Sequence, residues 1–96
     1  MYASFSTFKT APGKRDEALK AADQVFAFVK GVKGFKSVVY FADYDNNEYG
    51  TLYVWETKED LEAAYSLLMS KFQELMSSLA IEPPVRRIFE VYEPKT

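Results

Sequence analysis

The chain has 96 residues, of which 48% are hydrophobic, 17% aromatic and 27% charged, and its formal net charge is −2 at pH 7. This length suits one small domain over residues 1–96 and leaves no room for separate cofactor and substrate domains. The chain contains no cysteine and no histidine. Disulfides, a thiolate nucleophile and the commonest general base and metal ligand are therefore excluded, and we expect no metal site.

The charge balance also bears on partners and location. A slightly acidic chain does not attract nucleic acid or an anionic membrane, so neither is an expected partner. No apolar run approaches the ~18 residues of a membrane span, and the first residues lack the basic region and apolar core of a signal peptide. We expect a cytoplasmic protein.

The first third of the chain predicts a strand followed by a helix. Residues 2–9 are rich in aromatic and hydroxyl side chains, which is typical of a strand, and the segment 10–13 then breaks it. Pro12 is expected in the first turn of the helix, and Gly31 is expected to end it in the left-handed conformation. The apolar residues that recur at helical spacing and predict the buried face are Leu19, Ala22, Val25, Phe26 and Val29.

A hairpin is predicted next. Residues 35–41 form the second predicted strand, and the polar run 43–48, with Asn46 and Asn47, is expected to turn the chain back. Residues 49–55 form the third strand.

A long helix and a fourth strand complete the pattern. The helix is expected from about 58 to 79, with Thr57 and Asp60 as a capping-box-like pair, and a break near Ser70 is an alternative because the apolar stripe is long. Residues 85–92, after two prolines, predict the last strand. The apolar residues at helical spacing are Leu61, Ala64, Tyr65, Leu68, Phe72, Leu75, Met76 and Leu79.

This order predicts an α+β fold, the ferredoxin-like βαββαβ sandwich, with a four-stranded antiparallel sheet and both helices on one face. Alternation along the third strand sends Leu52 and Val54 to the face opposite Trp55. Apolar residues on the uncovered face would stand in water, so we expect a second copy of the chain to cover it in a homodimer.

Three motifs together resemble those of the antibiotic-biosynthesis monooxygenase domain family of dimeric α/β barrels. They are KTAPGK at 9–14, KGF at 33–35 and VWETKEDL at 54–61. The resemblance spans nearly the whole chain. It implies a small oxygenase that needs no cofactor and oxidises an aromatic substrate with O2. Haem degradation, which another branch of the family performs, is not expected because its haem-ligating histidine has no counterpart here.

Trp55 heads the candidate substrate-binding residues. By the resemblance it matches the strand-three tryptophan that lines the pocket between sheet and helices in the haem-degrading branch, and Ser6 falls about where that branch has a functional asparagine. Tyr53 and Thr51 share the side of Trp55, and Tyr65 of the second helix can approach it. Indole N–H and phenol O–H groups among apolar walls could hold a phenolic or quinone-like ring and stabilise its anion.

The adjacent residues Arg86 and Arg87 point to opposite faces of the last strand, so at most one enters the pocket. A guanidinium there needs a carboxylate or an anionic ligand, and Arg87 is the candidate that we select. Its alternative role is an ion pair with Glu56, Glu90 or a carboxylate of the second copy.

Other functions are compatible with the same pattern. The aromatic residues can be packed core, and the chain can be a non-catalytic dimeric ligand-binding or interaction module. RNA-recognition domains share the element order, but two of their three stacking aromatics and the basic first position are missing from the third strand.

Overall fold

The computed structural model describes residues 1–76 and 79–94. The elements follow in the predicted order and confirm the ferredoxin-like pattern. They are β1 Tyr2–Lys9, α1 Arg15–Val29, β2 Phe35–Asp43, β3 Glu48–Trp55, α2 Lys58–Met76 and β4 Val85–Glu90. No helix among the described residues is long and apolar enough to cross a membrane.

All four strands form one antiparallel sheet in the order β2-β3-β1-β4. The central strand β1 sets the register on both sides. Ser6 lies opposite Thr51 of β3 and opposite Arg86 of β4, so these three residues share one face. Tyr2 lies opposite Trp55 in the same way.

The helices cover this face and bury it. One cluster packs Phe8 and Tyr49 against Ala18 and Ala21 of α1, together with Leu79. The second cluster joins both helices to the sheet around Trp55, which is 1% exposed, and contains Val25, Val29, Tyr53, Trp55, Leu61 and Ala64. The prediction that Trp55, Tyr53 and Thr51 face the helices is confirmed.

The predicted buried face of α1 is partly wrong. Val25 and Val29 are buried as expected, but Leu19 is 40% and Phe26 41% exposed, and Ala18 and Ala21 take their places against the sheet. Small side chains at these positions leave room for the aromatic rings that β1 and β3 direct at the helix.

The ends of α1 also differ from the prediction. The helix starts at Arg15 rather than near Pro12, because Pro12 and Gly13 form a turn in which Gly13 has φ 82°, outside the range of a right-handed helix. Gly31 does not adopt the left-handed conformation; Gly34 does, at φ 85°, where a side chain would collide with Asp60.

The remaining turns agree better with the sequence. Asn47 is left-handed, at φ 53°, after a single 3₁₀ turn at Tyr44–Asn46, which confirms the hairpin. The Asp60 N–H donates to Thr57 Oγ1 at 3.1 Å, which confirms Thr57 as the cap of α2. That helix runs to Met76 without the alternative break near Ser70. The side chains of Phe72, Leu75 and Met76, predicted for its buried stripe, lie outside the described part of the structure.

The opposite face of the sheet carries apolar side chains without a covering layer from the described residues. Leu52 of β3 lies opposite Phe5 of β1 and Val39 of β2. Val39 is 56% exposed, and the rings of Phe5 and Phe41 stack at 5.6 Å. We call this surface the bare face; it is formed by Phe5, Val39, Phe41, Leu52, Val54, Val85, Arg87 and Phe89.

Candidate functional site

Two cavities lie between the sheet and the helices. The α2 cavity has a volume of about 290 Å³ and is lined by Ser4, Ser6, Phe8, Tyr53, Trp55, Leu61, Tyr65, Leu68, Met69, Pro84 and Arg86. The α1 cavity has a volume of about 250 Å³ and is lined by Phe8, Ala18, Leu19, Ala22, Val25, Tyr40, Phe41, Ala42, Tyr44, Tyr49, Gly50, Thr51 and Tyr53. Buried Phe8 and Tyr53 belong to both linings.

The α2 cavity brings together four of the residues singled out from the sequence. Trp55 and Tyr53 come from β3, Ser6 from β1, and Tyr65 reaches the cavity from α2. Thr51 lines the α1 cavity instead, and its Oγ1 lies 2.9 Å from Ser6 Oγ in a hydrogen bond.

Arg86, and not Arg87, faces the α2 cavity. The register places Arg86 opposite Ser6 on the helix-covered face, whereas Arg87 lies opposite Phe5 on the bare face with its guanidinium 4.8 Å from the ring centre of Phe89. The selection of Arg87 for the pocket is therefore wrong. Alternation predicts that the two arginines separate, but only the register of β4 against β1 decides which one is covered.

The Arg86 guanidinium is held by an aromatic ring instead of a carboxylate. Its central carbon lies 3.5 Å from the ring centre of Tyr65 in a cation–π contact. The N–H groups at the guanidinium edge form no hydrogen bond with the described part of the chain. Among the described residues the guanidinium forms no ion pair, and Glu56, an expected partner for the pocket arginine, pairs with Lys36 at 2.7 Å. Burial lowers the pKa of Arg86 from its ordinary value, yet a guanidinium stays charged at neutral pH.

Tyr53 is held by a second tyrosine that the sequence analysis did not identify. The hydroxyl groups of Tyr53 and Tyr40 lie 3.3 Å apart in a hydrogen bond. Burial, and then this hydrogen bond, raise the pKa of Tyr53 far above its ordinary value of 10.0. Tyr53 therefore stays a phenol at neutral pH and does not serve as a phenolate base.

Trp55 is almost fully buried, at 1% exposed, and it lines the α2 cavity. Its indole N–H forms no hydrogen bond with the described residues. The α2 cavity thus combines apolar walls with one cation and with neutral hydroxyl and indole side chains, an arrangement suited to a small aromatic ligand that carries a negative oxygen.

Solved structures with this architecture are numerous, and their names are informative. A protein of unknown function from Nitrosomonas europaea, NE2512, superposes with a TM-score of 0.84 at 12% identity, over 99% of this chain and 92% of its own. No family model matches the chain, and no curated protein matches it in sequence.

Two further neighbours are named as oxygenases. A mutant of SnoaB, a cofactor-independent oxygenase from Streptomyces nogalater, gives a TM-score of 0.77 at 14% identity, over 97% of this chain and 94% of its own. The monooxygenase from ActVA-Orf6 of Streptomyces coelicolor, in complex with nanaomycin D, gives a TM-score of 0.77 at 19% identity. The match covers 99% of this chain and 90% of the monooxygenase chain. The chain has the fold of the antibiotic biosynthesis monooxygenases, as its sequence motifs suggested.

Proposed function

We propose that this protein is a cofactor-independent monooxygenase that acts on a small aromatic substrate of the phenol or quinol class, bound in the α2 cavity. The observation that carries the proposal is the Arg86 guanidinium, which forms no ion pair with the described residues and lies beside Trp55 and Tyr53 in an apolar cavity. Neighbours of the same fold that are named as a cofactor-independent oxygenase and a monooxygenase support it.

The geometry suggests how the residues would act. A phenolic oxygen near Arg86 loses its proton to water more readily, because the guanidinium and the Trp55 N–H stabilise the phenolate. The resulting electron-rich ring reacts directly with O2. One oxygen atom enters the ring at a C–H carbon to give a quinone, the other leaves as water, and the substrate supplies all four electrons.

Size and polarity fit such a substrate. An apolar protein cavity of ~150 Å³ is known to hold benzene, so about 290 Å³ accommodates one or two fused rings. The Ser6 hydroxyl is already hydrogen-bonded to Thr51, so Ser6 is proposed to contact the substrate through its Cβ methylene. Tyr65 would form the wall of the cavity on the side of α2.

The homodimer expected from the sequence belongs to the same proposal. The bare face exposes Val39, Phe41, Val85 and Phe89, and the antiparallel sheet of a second copy carries the same side chains in the same arrangement. Covering each sheet with the other would remove this apolar surface from water.

A non-catalytic ligand-binding or interaction module of the same fold is the second candidate. Its support is that no carboxylate is among the residues described as lining the α2 cavity, and the chain contains no histidine. Such a module would bind the aromatic ligand without consuming oxygen.

An oxygen electrode distinguishes the two candidates. With 1-naphthol as substrate, we expect protein-dependent uptake of one O2 per quinone formed. Met69→Trp, which fills the α2 cavity, should abolish the uptake. Leu67→Trp makes the same kind of change at a 53% exposed position of the same helix and should preserve it. Binding of 1-naphthol without uptake would instead support the ligand-binding module.

A further inference from the structure

The α1 cavity lies outside the site proposed for oxygenation. It is bounded by α1, β2 and β3, and it is separated from the α2 cavity by the buried side chains of Phe8 and Tyr53. The space of about 250 Å³ between α1 and the sheet is larger than the ~150 Å³ apolar cavity that holds benzene, so it has room for a small aromatic ligand.

We propose that the α1 cavity is a second ligand site, which takes a small neutral aromatic molecule carrying one hydroxyl or carbonyl group. Its lining supplies flat apolar walls. The Tyr44 and Tyr49 rings lie at 69° to each other with their centres 6.0 Å apart, and Tyr40 and Tyr53 make a similar edge-to-face pair at 6.2 Å. A flat ring between such walls makes both stacked and edge contacts.

The rim of the cavity supports access from solvent. Leu19 of α1 and Tyr44 of the hairpin are 40% and 43% exposed, although both contribute to the lining. Large apolar side chains around the mouth of an apolar cavity are typical of ligand sites.

The polar group of the ligand is matched by the two tyrosine hydroxyls. Tyr40 and Tyr53 share one hydrogen bond at 3.3 Å, so the pair retains a second O–H donor and further lone pairs. One ligand hydroxyl or carbonyl can complete this set, and a ligand with many polar groups would leave most of them unpaired against aromatic carbon.

Charge separates this site from the α2 cavity. No charged side chain is among the described residues that line the α1 cavity. The nearest cation with a contact to the lining is Arg15, whose guanidinium carbon lies 3.8 Å from the ring centre of Tyr44 at the rim. An anion inside the α1 cavity would lose water without gaining a charged partner in the lining, whereas the α2 cavity supplies Arg86.

Two naphthalene derivatives of similar size but different charge test this assignment by methyl NMR. The Ala22 methyl reports on the α1 cavity and the Met69 methyl on the α2 cavity. We expect 2-naphthol, which is neutral at pH 7, to shift the Ala22 signal, and 2-naphthoate to shift only the Met69 signal. Neither readout depends on oxygen chemistry, so the test stands apart from the proposed reaction.

Matched variants locate the binding. Leu19→Trp should weaken the effect of 2-naphthol on Ala22 at least tenfold by filling the rim, whereas Leu67→Trp, the control on α2, should leave it unchanged. Ala22→Leu fills the cavity from inside and should act like Leu19→Trp, with the Ala18 methyl as reporter. The proposal is wrong if 2-naphthol does not shift the Ala22 methyl signal, or if 2-naphthoate shifts this signal as strongly. It is also wrong if the two cavity-filling variants bind 2-naphthol as tightly as Leu67→Trp does.

Discussion

At the scale of single residues, Arg86 is the only charged group among the described lining of the α2 cavity. Tyr65 covers one side of its guanidinium, and none of the described residues accepts a hydrogen bond from it. Arg87, one position further on, lies outside the cavity on the other face of the same sheet. The pair therefore offers a test and its own control.

Arg86→Gln should weaken binding of 2-naphthoate by roughly tenfold to a hundredfold, the ~1.5–3 kcal/mol of a hydrogen bond to a charged group. Quenching of the single tryptophan, which lines the same cavity, measures the affinity. Arg87→Gln should bind as the unaltered protein does when compared in the same oligomeric state. Equal losses in the two variants would show that general charge, and not the cavity, attracts the ligand.

Tyr53 gives a prediction about pH. Its pKa is raised in the folded chain, so folded Tyr53 keeps its proton at a pH where the unfolded chain ionises. Its contribution to stability is therefore complete below about pH 10 and declines above it, by up to ~1.4 kcal/mol per pH unit. Tyr40 and Tyr49 add in the same direction.

Urea unfolding between pH 8 and about pH 11.5 measures this decline. The comparison is between the protein and Tyr53→Phe, which removes the titrating group and keeps the ring. The variant should show a shallower decline above pH 10. An identical slope in both proteins would mean that Tyr53 ionises in the folded chain.

Much of the residue-scale site follows from the sequence, because alternation along a strand is a strict geometric rule. It places Tyr53 and Trp55 together and separates the two arginines. Alternation does not say which arginine the helices cover, because this depends on the register of β4 against β1, which lie far apart in the chain. It also does not predict the contact between Tyr40 and Tyr53, because the register of β2 against β3 depends on the irregular turn between them. The long spacing between β1 and β4 leaves that register unspecified until the sheet forms.

At the scale of elements, the two helices differ in how well their sequences define a buried face. Helix α1 has apolar residues on more than one side, so positions 18, 21, 25 and 29 and positions 19, 22, 26 and 29 both satisfy helical spacing. The larger side chains favour the second set in a sequence-based prediction. The structure buries the first, whose alanines allow the helix to lie close to the aromatic rings of the sheet.

This difference predicts unequal effects of a buried charge. Leu61→Asp should prevent cooperative folding, because Leu61 is 1% exposed and an unpaired carboxylate there costs several kcal/mol. Phe26→Asp, which the sequence alone ranks as equally damaging, should retain a cooperative thermal transition at a lower temperature, since its carboxylate can reach water. A folded Leu61→Asp protein would contradict the assignment of α2 to the core.

At the scale of the whole molecule, the sheet is covered on one face only by the described residues. The four-stranded sheet and its two helices are predictable from the chain, because each element has its own periodicity and turn signals. The cavities are not, since they depend on how far the helices stand from the sheet. The apolar bare face leads to the proposed dimer.

Light scattering should show a dimer at micromolar concentration. Val39→Asp places a carboxylate on the bare face at a position that is 56% exposed in one chain, so it should yield a folded monomer by opposing burial of that face. Leu67→Asp makes a comparable change at a 53% exposed position on α2 and should remain dimeric. A monomeric parent protein, or a dimer that tolerates Val39→Asp, would contradict the face-to-face arrangement.

The most direct test of the proposed reaction is isotope incorporation from O2. The protein, freed of metals with a chelator, is incubated with 1-naphthol under ¹⁸O2, and the product is analysed at once by mass spectrometry. We expect a quinone that carries one heavy oxygen atom, formed in proportion to the protein, absent with Met69→Trp and present with Leu67→Trp. Three results would contradict cofactor-independent oxygenation in the α2 cavity. The product could form equally well without the protein, it could lack the heavy oxygen, or the Met69→Trp variant could form it as well as the unaltered protein does.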